Sequence, residues 1–439
     1  MKMLTFKRIK KKTKRWPQLL TALVAALAAF STYTCMYAFR KAFAAGTYQD
    51  LSFLDIDYKV WLVIAQVLGY TLSKFYGIRF ISEIKGRSRG RTIIFLITFA
   101  WISLLGFALV PLPYNIVFLF LNGFPLGMIW GLVFSYLEGR RTTEFMAAVM
   151  SVSMIFASGF VKTIGRTLII DFNISEFWMP FITGLIFIIP LIICVLIMEI
   201  IPPPNQLDKQ ARVGRVPMNS AQRQRFLLNF LPGIVLTIII YTLLTIMRDV
   251  RDNFEVEIWA DLGINNSSIY TRIDTLISII VLIMMGLLIL IRNNLNAFTV
   301  IHLLIIAGCL TIGVATFLYQ NHYINPTQWM IFAGLGLYMG YLPYNAIFFE
   351  RMIAAFSYKS NVGFVMYLAD AMGYLGSISV LLFKQFGNNN KNWGTFFEQG
   401  LYIVAFVGGI SASLSLVYFL QKAYKQKNLS ASELQMQYA

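Results

Sequence analysis

Histidine, cysteine and acid are scarce in this chain: two His, three Cys and 20 Asp or Glu among 439 residues. His302 and His322 stand far apart with no Cys or carboxylate at ligand spacing, which excludes a sequence-encoded metal centre. Cys35, Cys194 and Cys309 each sit inside an apolar run, so they form no loop disulfide framework and read as small apolar residues. No nucleophile stands beside a base and no glycine-rich nucleotide loop is present, so the chain is not expected to be an enzyme or to carry a cofactor. Charged residues make up only 13% of the chain.

What is abundant is apolar surface: 58% hydrophobic residues, 15% aromatics and a mean hydropathy of +0.66. That balance belongs to polytopic membrane proteins. The net charge of +17 does not point to nucleic acid, because the basic residues cluster in short segments between apolar runs. Runs of about 20 residues predict twelve spans near 17–45, 58–82, 91–110, 114–137, 146–170, 177–200, 227–250, 268–291, 297–319, 327–350, 360–386 and 395–421. The first follows a basic stretch and Trp16, and it is too long for a signal peptide, so it reads as an uncleaved span.

Loop charges set the expected orientation. With both termini inside, 25 Lys and Arg fall on inner segments, and only Lys59, Arg251, Lys384 and Lys391 fall outside, together with Asp50, Asp55, Asp57, Asp171, Glu176, Asp252, Glu255, Glu257 and Asp261. The bias places both termini in the cytoplasm of a multi-pass protein of the inner membrane. The segment from Ile201, opening Pro202-Pro203-Pro204, is polar and basic and reads as a linker. Expected domains are therefore a basic tail 1–16, a six-helix bundle 17–200, a linker 201–226, a second six-helix bundle 227–421 and a tail 422–439. The fold class is all-α, twelve transmembrane helices in two pseudo-symmetric bundles.

Ionisable residues inside spans carry the functional expectation, since each costs roughly 2.5 to 3.5 kcal/mol at a helix centre and so faces a wet interior. In span 1, helical spacing puts Tyr33, Tyr37, Arg40 and Ala44 on one face. Span 2 sets Gln66, Tyr70, Ser73, Lys74 and Gly77 together, with Lys74 about 24 Å along the helix from Tyr58. Snorkelling to the inner headgroups is the alternative for Lys74. Span 7 repeats the pattern of span 1 with Tyr241, Thr245, Arg248 and Asp252. An arginine from each half could hold a phosphate or carboxylate in its planar fork. Pairing of Arg248 with Asp249 or Asp252 at the outer surface is the rival, and an ion pair is the rival for Lys162, which span 5 places with Ser158. Asp370, on a face with Gly363, Tyr367 and Tyr374, is either a proton carrier or, the favoured choice, the counter-ion of an arginine. Asp274 is expected to make a local contact with Arg272.

The motifs Tyr37-x-x-Arg40-Lys41-x-Phe43, Tyr70-x-x-Ser73-Lys74-Phe75, Arg248 in span 7 and Gly373-Tyr374-Leu375-Gly376 resemble the major facilitator superfamily, most closely its organophosphate:phosphate antiporters. That resemblance implies alternating access, with Arg40 and Arg248 on a substrate anion and Lys74 assisting. The superfamily's loop signature is matched loosely by Glu83 and Arg87, and the pairs Glu138, Arg140 and Glu350, Arg351 echo one another across the halves; these six residues are the expected cytoplasmic gate. The family's span 5 histidine is replaced by Ala157 or a neighbour.

Together these observations predict a monomeric secondary transporter of a small anionic solute, organophosphate or carboxylate, in a lipid bilayer. Its site would comprise Arg40, Lys74, Arg248, Tyr37, Tyr70, Tyr241 and Lys162, with Asp370 and Asp274 as coupling or counter-ion groups. Proton symport of an uncharged or zwitterionic solute is the first alternative. A non-transporting membrane sensor of the same fold is the second.

Overall fold

The computed structural model describes residues 16–83, 89–206, 208, 220–356, 362–386 and 392–438. It is helical almost throughout, and each of the twelve expected spans falls on one helix or on two joined by a break. In order these are α1 (Gln18–Arg40), α2 (Tyr58–Glu83), α3 (Arg89–Leu109), α4 (Ile116–Leu126) with α5 (Ile129–Leu137), α6 (Thr143–Ile170), α7 (Met179–Ile200), α8 (Ser220–Asp261), α9 (Ser268–Ile289), α10 (Asn294–Gln320), α11 (Pro326–Pro343) with α12 (Phe349–Ala355), α13 (Val362–Phe386), and α14 (Trp393–Ile403) with α15 (Gly409–Tyr438). Among the described residues nine helices or helix pairs are long and apolar enough to cross a bilayer. The other three expected spans are helical but interrupted or charged: α2 carries Lys59 and Lys74, α13 carries Asp370 and Lys384, and α11 runs into a π-helical turn at Tyr344–Phe348. Large apolar side chains point outward, Leu19 at 71% exposure and Phe95 at 69%. A soluble protein would bury them, so this is an integral multi-pass membrane protein.

Local chemistry explains the breaks. Pro125 removes a backbone donor, and α4 gives way to α5 across Gly127 and Met128. Asn325 caps α11 reciprocally with Gln328 behind Pro326, which satisfies two orphan amides at once. A two-stranded hairpin joins α1 to α2 with Ser52 opposite Asp57 and Phe53 opposite Ile56. Leu54 and Asp55 turn it with φ of 52° and 58°, the sign that a two-residue hairpin loop requires.

By contact, the chain forms two compact units. The first comprises Met1–Val213, Arg251–Ile283 and Ile378–Gly394, so the last turns of α8, much of α9 and the end of α13 pack with α1 to α7. Within it α1 lies against α6 and α7, and α2 against α4. A Cβ on Gly123 would stand 2.3 Å from the Gln66 carbonyl oxygen and one on Gly69 would stand 2.2 Å from that of Phe120, so only glycine permits this backbone approach. The second unit comprises Gly214–Val250, Met284–Ser377 and Thr395–Ala439. There α10 packs on α11, with Gly308 against the Gly336 carbonyl.

Two expectations are corrected. Span 1 ends as a helix at Arg40, and Ala44 lies in the 3-10 turn Ala42–Ala45, so it does not share the helical face of Tyr33 and Tyr37. The second correction concerns α8, whose 42 residues run past the expected end of span 7 and kink at Phe254, where φ of −117° and ψ of 22° join two helical segments. Arg251, Asp252, Glu255 and Glu257 therefore occupy a helix, the first three of them buried, rather than an outer loop.

Candidate functional site

Arg40 closes α1, where the helix must end because Lys41 turns the chain out of it. The backbone oxygen of Arg40 accepts a hydrogen bond from Gln66 Nε2 at 2.6 Å, and that amide also reaches Asn122. The Arg40 guanidinium stands 3.9 Å from the Tyr70 ring centroid and 5.7 Å from that of Tyr37. Lys74 Nζ is 5.4 Å from the same Tyr70 ring. Four expected site residues, Tyr37, Arg40, Tyr70 and Lys74, thus meet within the first unit. A ring face attracts a cation by about 0.5 to 2 kcal/mol and leaves the in-plane edge of a guanidinium for an oxyanion.

The second unit holds a parallel arrangement. Arg248 stands 4.0 Å from the Tyr341 ring centroid, and its Nη2 donates to Asp249 Oδ1 at 2.5 Å. Asp249 Oδ2 accepts from Ser377 Oγ at 2.8 Å. Tyr241 donates its hydroxyl to Asp370 Oδ1 and stacks on Tyr341, centroids 5.4 Å apart. Asp370 thus accepts from a phenol, and Arg248 has the Asp249 partner that the surface-pair rival named.

Lys162 belongs to a different constellation. Its Nζ lies 2.7 Å from Glu255 Oε2, 3.3 Å from Asp252 Oδ1 and 2.7 Å from Ser158 Oγ, with no exposed surface. Asp252 Oδ2 takes Lys41 Nζ at 2.7 Å, and Lys41 also reaches Asn253 Oδ1. Arg251 bridges Glu255 and Asp274 at 3.5 and 2.8 Å. Three cations and three carboxylates, Lys41 just past α1 and the others on α6, α8 and α9, therefore neutralise one another. The partner expected for Asp274 was Arg272; helical geometry gives it Arg251 instead, since Arg272 is exposed. Sequence reasoning missed Lys41, Arg251, Asp252 and Glu255 as members of this cluster. The signal was present as carboxylates at 252 and 255 next to Arg251, a helical i, i+3 and i, i+4 pattern continuing past the hydrophobic run.

Nearby, Lys59 Nζ pairs with Glu257 Oε1 at 2.5 Å and donates to the Ala44 carbonyl. They line a cavity of about 180 Å³ with Tyr48, Asp50, Asp57 and Trp393. Glu176 holds its rim by accepting the backbone amides of Thr47 and Tyr48, both at 2.6 Å. Burial first, and then the Glu176 charge, raises the Tyr48 phenol well above its ordinary pKa.

Of the expected gate residues, Arg87 and the side chain of Glu83 lie outside the described residues. Arg140 donates through Nη2 to the Pro202 carbonyl, and burial lowers its pKa against the opposing charge of Asp208. Arg351 donates to Asn294 Oδ1 at 2.9 Å, while Glu138 caps α5 and Glu350 opens α12.

Residues 42–422 match the sequence profile of a family of unknown function, DUF5690. The chain belongs to this family. Among curated proteins none matches the sequence. Solved structures do match. A D-xylose-proton symporter aligns with a TM-score of 0.60 at 15% identity, covering 92% of this chain and 97% of its own. The nucleoside transporter NupG, in a point-mutant form, aligns at 0.56 and 13% identity, covering 90% and 99%. A POT family transporter in complex with a thioalcohol-conjugated peptide aligns at 0.60 and 13%, covering 92% and 96%. These likenesses show that this DUF5690 member has the major facilitator fold. At such identities they show nothing about substrate.

Proposed function

We propose that the protein is a secondary active transporter that moves a small anionic solute, an organophosphate or a carboxylate, by alternating access. Each of the two units holds a buried arginine laid on a tyrosine ring, Arg40 on Tyr70 and Arg248 on Tyr341, and this repeated pairing carries the reading. A guanidinium so placed is fixed in orientation before the ligand arrives, which reduces the ordering cost of a bidentate oxyanion contact. Arg40 and Arg248 take the charged group, Lys74 adds attraction, and Tyr37, Tyr70 and Tyr241 orient the cations. The resemblance to organophosphate antiporters supports exchange as the mode. Lys162 serves the neutral cluster instead, holding Glu255 and Asp252. A monomer in the inner membrane with both termini cytoplasmic completes the proposal, resting on the loop charges.

The test is uptake into liposomes of radiolabelled phosphate esters and dicarboxylates, parent against Arg40→Ala and Arg248→Ala. Each variant is expected to lose at least about tenfold in rate, the loss of one charge-assisted contact. Transport by Arg40→Ala at the parental rate would refute the assignment.

A second reading, proton-coupled transport of an uncharged or zwitterionic solute, is favoured by one observation. Asp274 is fully buried, and its Oδ2 accepts no hydrogen bond among the described residues while Oδ1 takes Arg251. Uptake driven by a pH gradient, abolished by Asp274→Asn and indifferent to Arg40→Ala, would select it.

A further inference from the structure

The two arginines differ in one respect that bears on what the site takes. Arg248 carries a carboxylate on the next residue, and Asp249 Oδ1 stands 2.5 Å from its Nη2. Neighbouring side chains on a helix diverge by about 100°, so this contact bridges two faces of α8. A second holder steadies Asp249, since Ser377 Oγ on α13 donates to its other oxygen at 2.8 Å. Tyr341 covers the guanidinium face, so ligands reach Arg248 along its edge. At Nη2 that edge is where Asp249 sits.

We infer that Asp249 is a built-in competitor of the substrate, and that it selects dianionic head groups over monoanionic ones. The inference rests on the anion reading above. A bidentate oxyanion on Arg248 needs Nη2, so it enters by displacing Asp249 Oδ1, and Asp249 stays anchored by Ser377. A tethered competitor acts at an effective concentration of millimolar or more. A free monocarboxylate has the same charge as Asp249 and replaces it with no electrostatic gain. A phosphate monoester, doubly charged above its second pKa near 6, or a dicarboxylate brings one charge more than Asp249 does. Displacement is then favourable. The serine hydroxyl lets the released carboxylate keep one hydrogen bond, which lowers the cost of parting it from the guanidinium.

The experiment measures binding to purified protein in detergent at pH 7.5 by titration calorimetry, with matched probes that differ by one charge. Phenyl phosphate is compared with its monomethyl ester, and succinate with succinamate. The parent is expected to bind each dianion at least about tenfold tighter than its monoanionic partner, the scale of one charge-assisted contact. Asp249→Asn is expected to tighten monoanion binding roughly 10- to 100-fold and so close most of that gap, whereas Asp249→Glu keeps it. Equal affinities in the parent would overturn the inference without any variant, which covers the case in which Asp249→Asn does not fold. So would an Asp249→Asn protein that discriminates as the parent does. If the parent and Asp249→Asn both bind none of the four probes, the anion reading itself fails, an outcome distinct from either of these.

Discussion

Replacing Lys162 by methionine tests the buried cluster directly. The substitution keeps most of the side-chain volume but removes the charge that stands 2.7 Å from Glu255 and 3.3 Å from Asp252. Lys162 and Glu255 are both 0% exposed, so water cannot replace the lost ammonium, and breaking such a pair costs about 3–5 kcal/mol. Among the described residues Glu255 then keeps Arg251 at 3.5 Å and the Trp259 indole at 3.4 Å. A double variant, Lys162→Met with Glu255→Gln, removes both charges and retains an acceptor for Trp259. It should recover more than half of the single-variant loss, a coupling of about 2 kcal/mol or more. Arg272→Ala, at an exposed position, serves as the control and should stay within about 0.5 kcal/mol. The assay is denaturant unfolding in detergent followed by tryptophan fluorescence, with all four proteins at one detergent concentration. A Lys162→Met protein as stable as the control, or a double variant no more stable than the single one, would refute the argument that this cluster is held by mutual neutralisation.

Other expectations follow from the same geometry. Gly123→Ala drives a Cβ to 2.3 Å from the Gln66 carbonyl, and the forced separation of α2 and α4 should lower stability by about 1–3 kcal/mol in the same unfolding assay. Glu176→Gln weakens the two backbone contacts to Thr47 and Tyr48, so hydrogen exchange at these amides should accelerate while the cores of α1 and α6 stay protected. Tyr48 has a raised phenol pKa in the folded protein, so its contribution is complete below the unfolded value near 10 and is lost as pH climbs above it. Unfolding measured from pH 8 to 11 should show that alkaline loss, and Tyr48→Phe should reduce it.

Much of the architecture is legible in composition and period. Twenty-residue apolar runs, broken by basic segments on alternate turns of the chain, locate the helices because a bilayer demands both a length and a side for cations. Arg40 beside Tyr37 was likewise visible from helical spacing alone, as were Lys74 beside Tyr70 and Tyr241 on the face of Arg248. Hydropathy failed at the end of α8. A window that seeks apolar residues stops at Arg251, whereas helical structure continues across a kink at Phe254 to Asp261 and buries Arg251, Asp252 and Glu255.

The sequence by itself determined that this chain crosses a membrane many times and carries cations where hydrocarbon would penalise them. Tertiary structure alone decided which of those cations are already neutralised. Lys162 looked like a ligand contact from its own helix, and only the packing of α6 against the end of α8 set Glu255 and Asp252 beside it. Asp249 looked like a surface charge, and only the approach of α13 gave it Ser377 and made it a companion of Arg248. The reason is the range of the forces: hydropathy is summed along a segment, whereas an ion pair in low dielectric depends on a few ångströms between residues far apart in the chain.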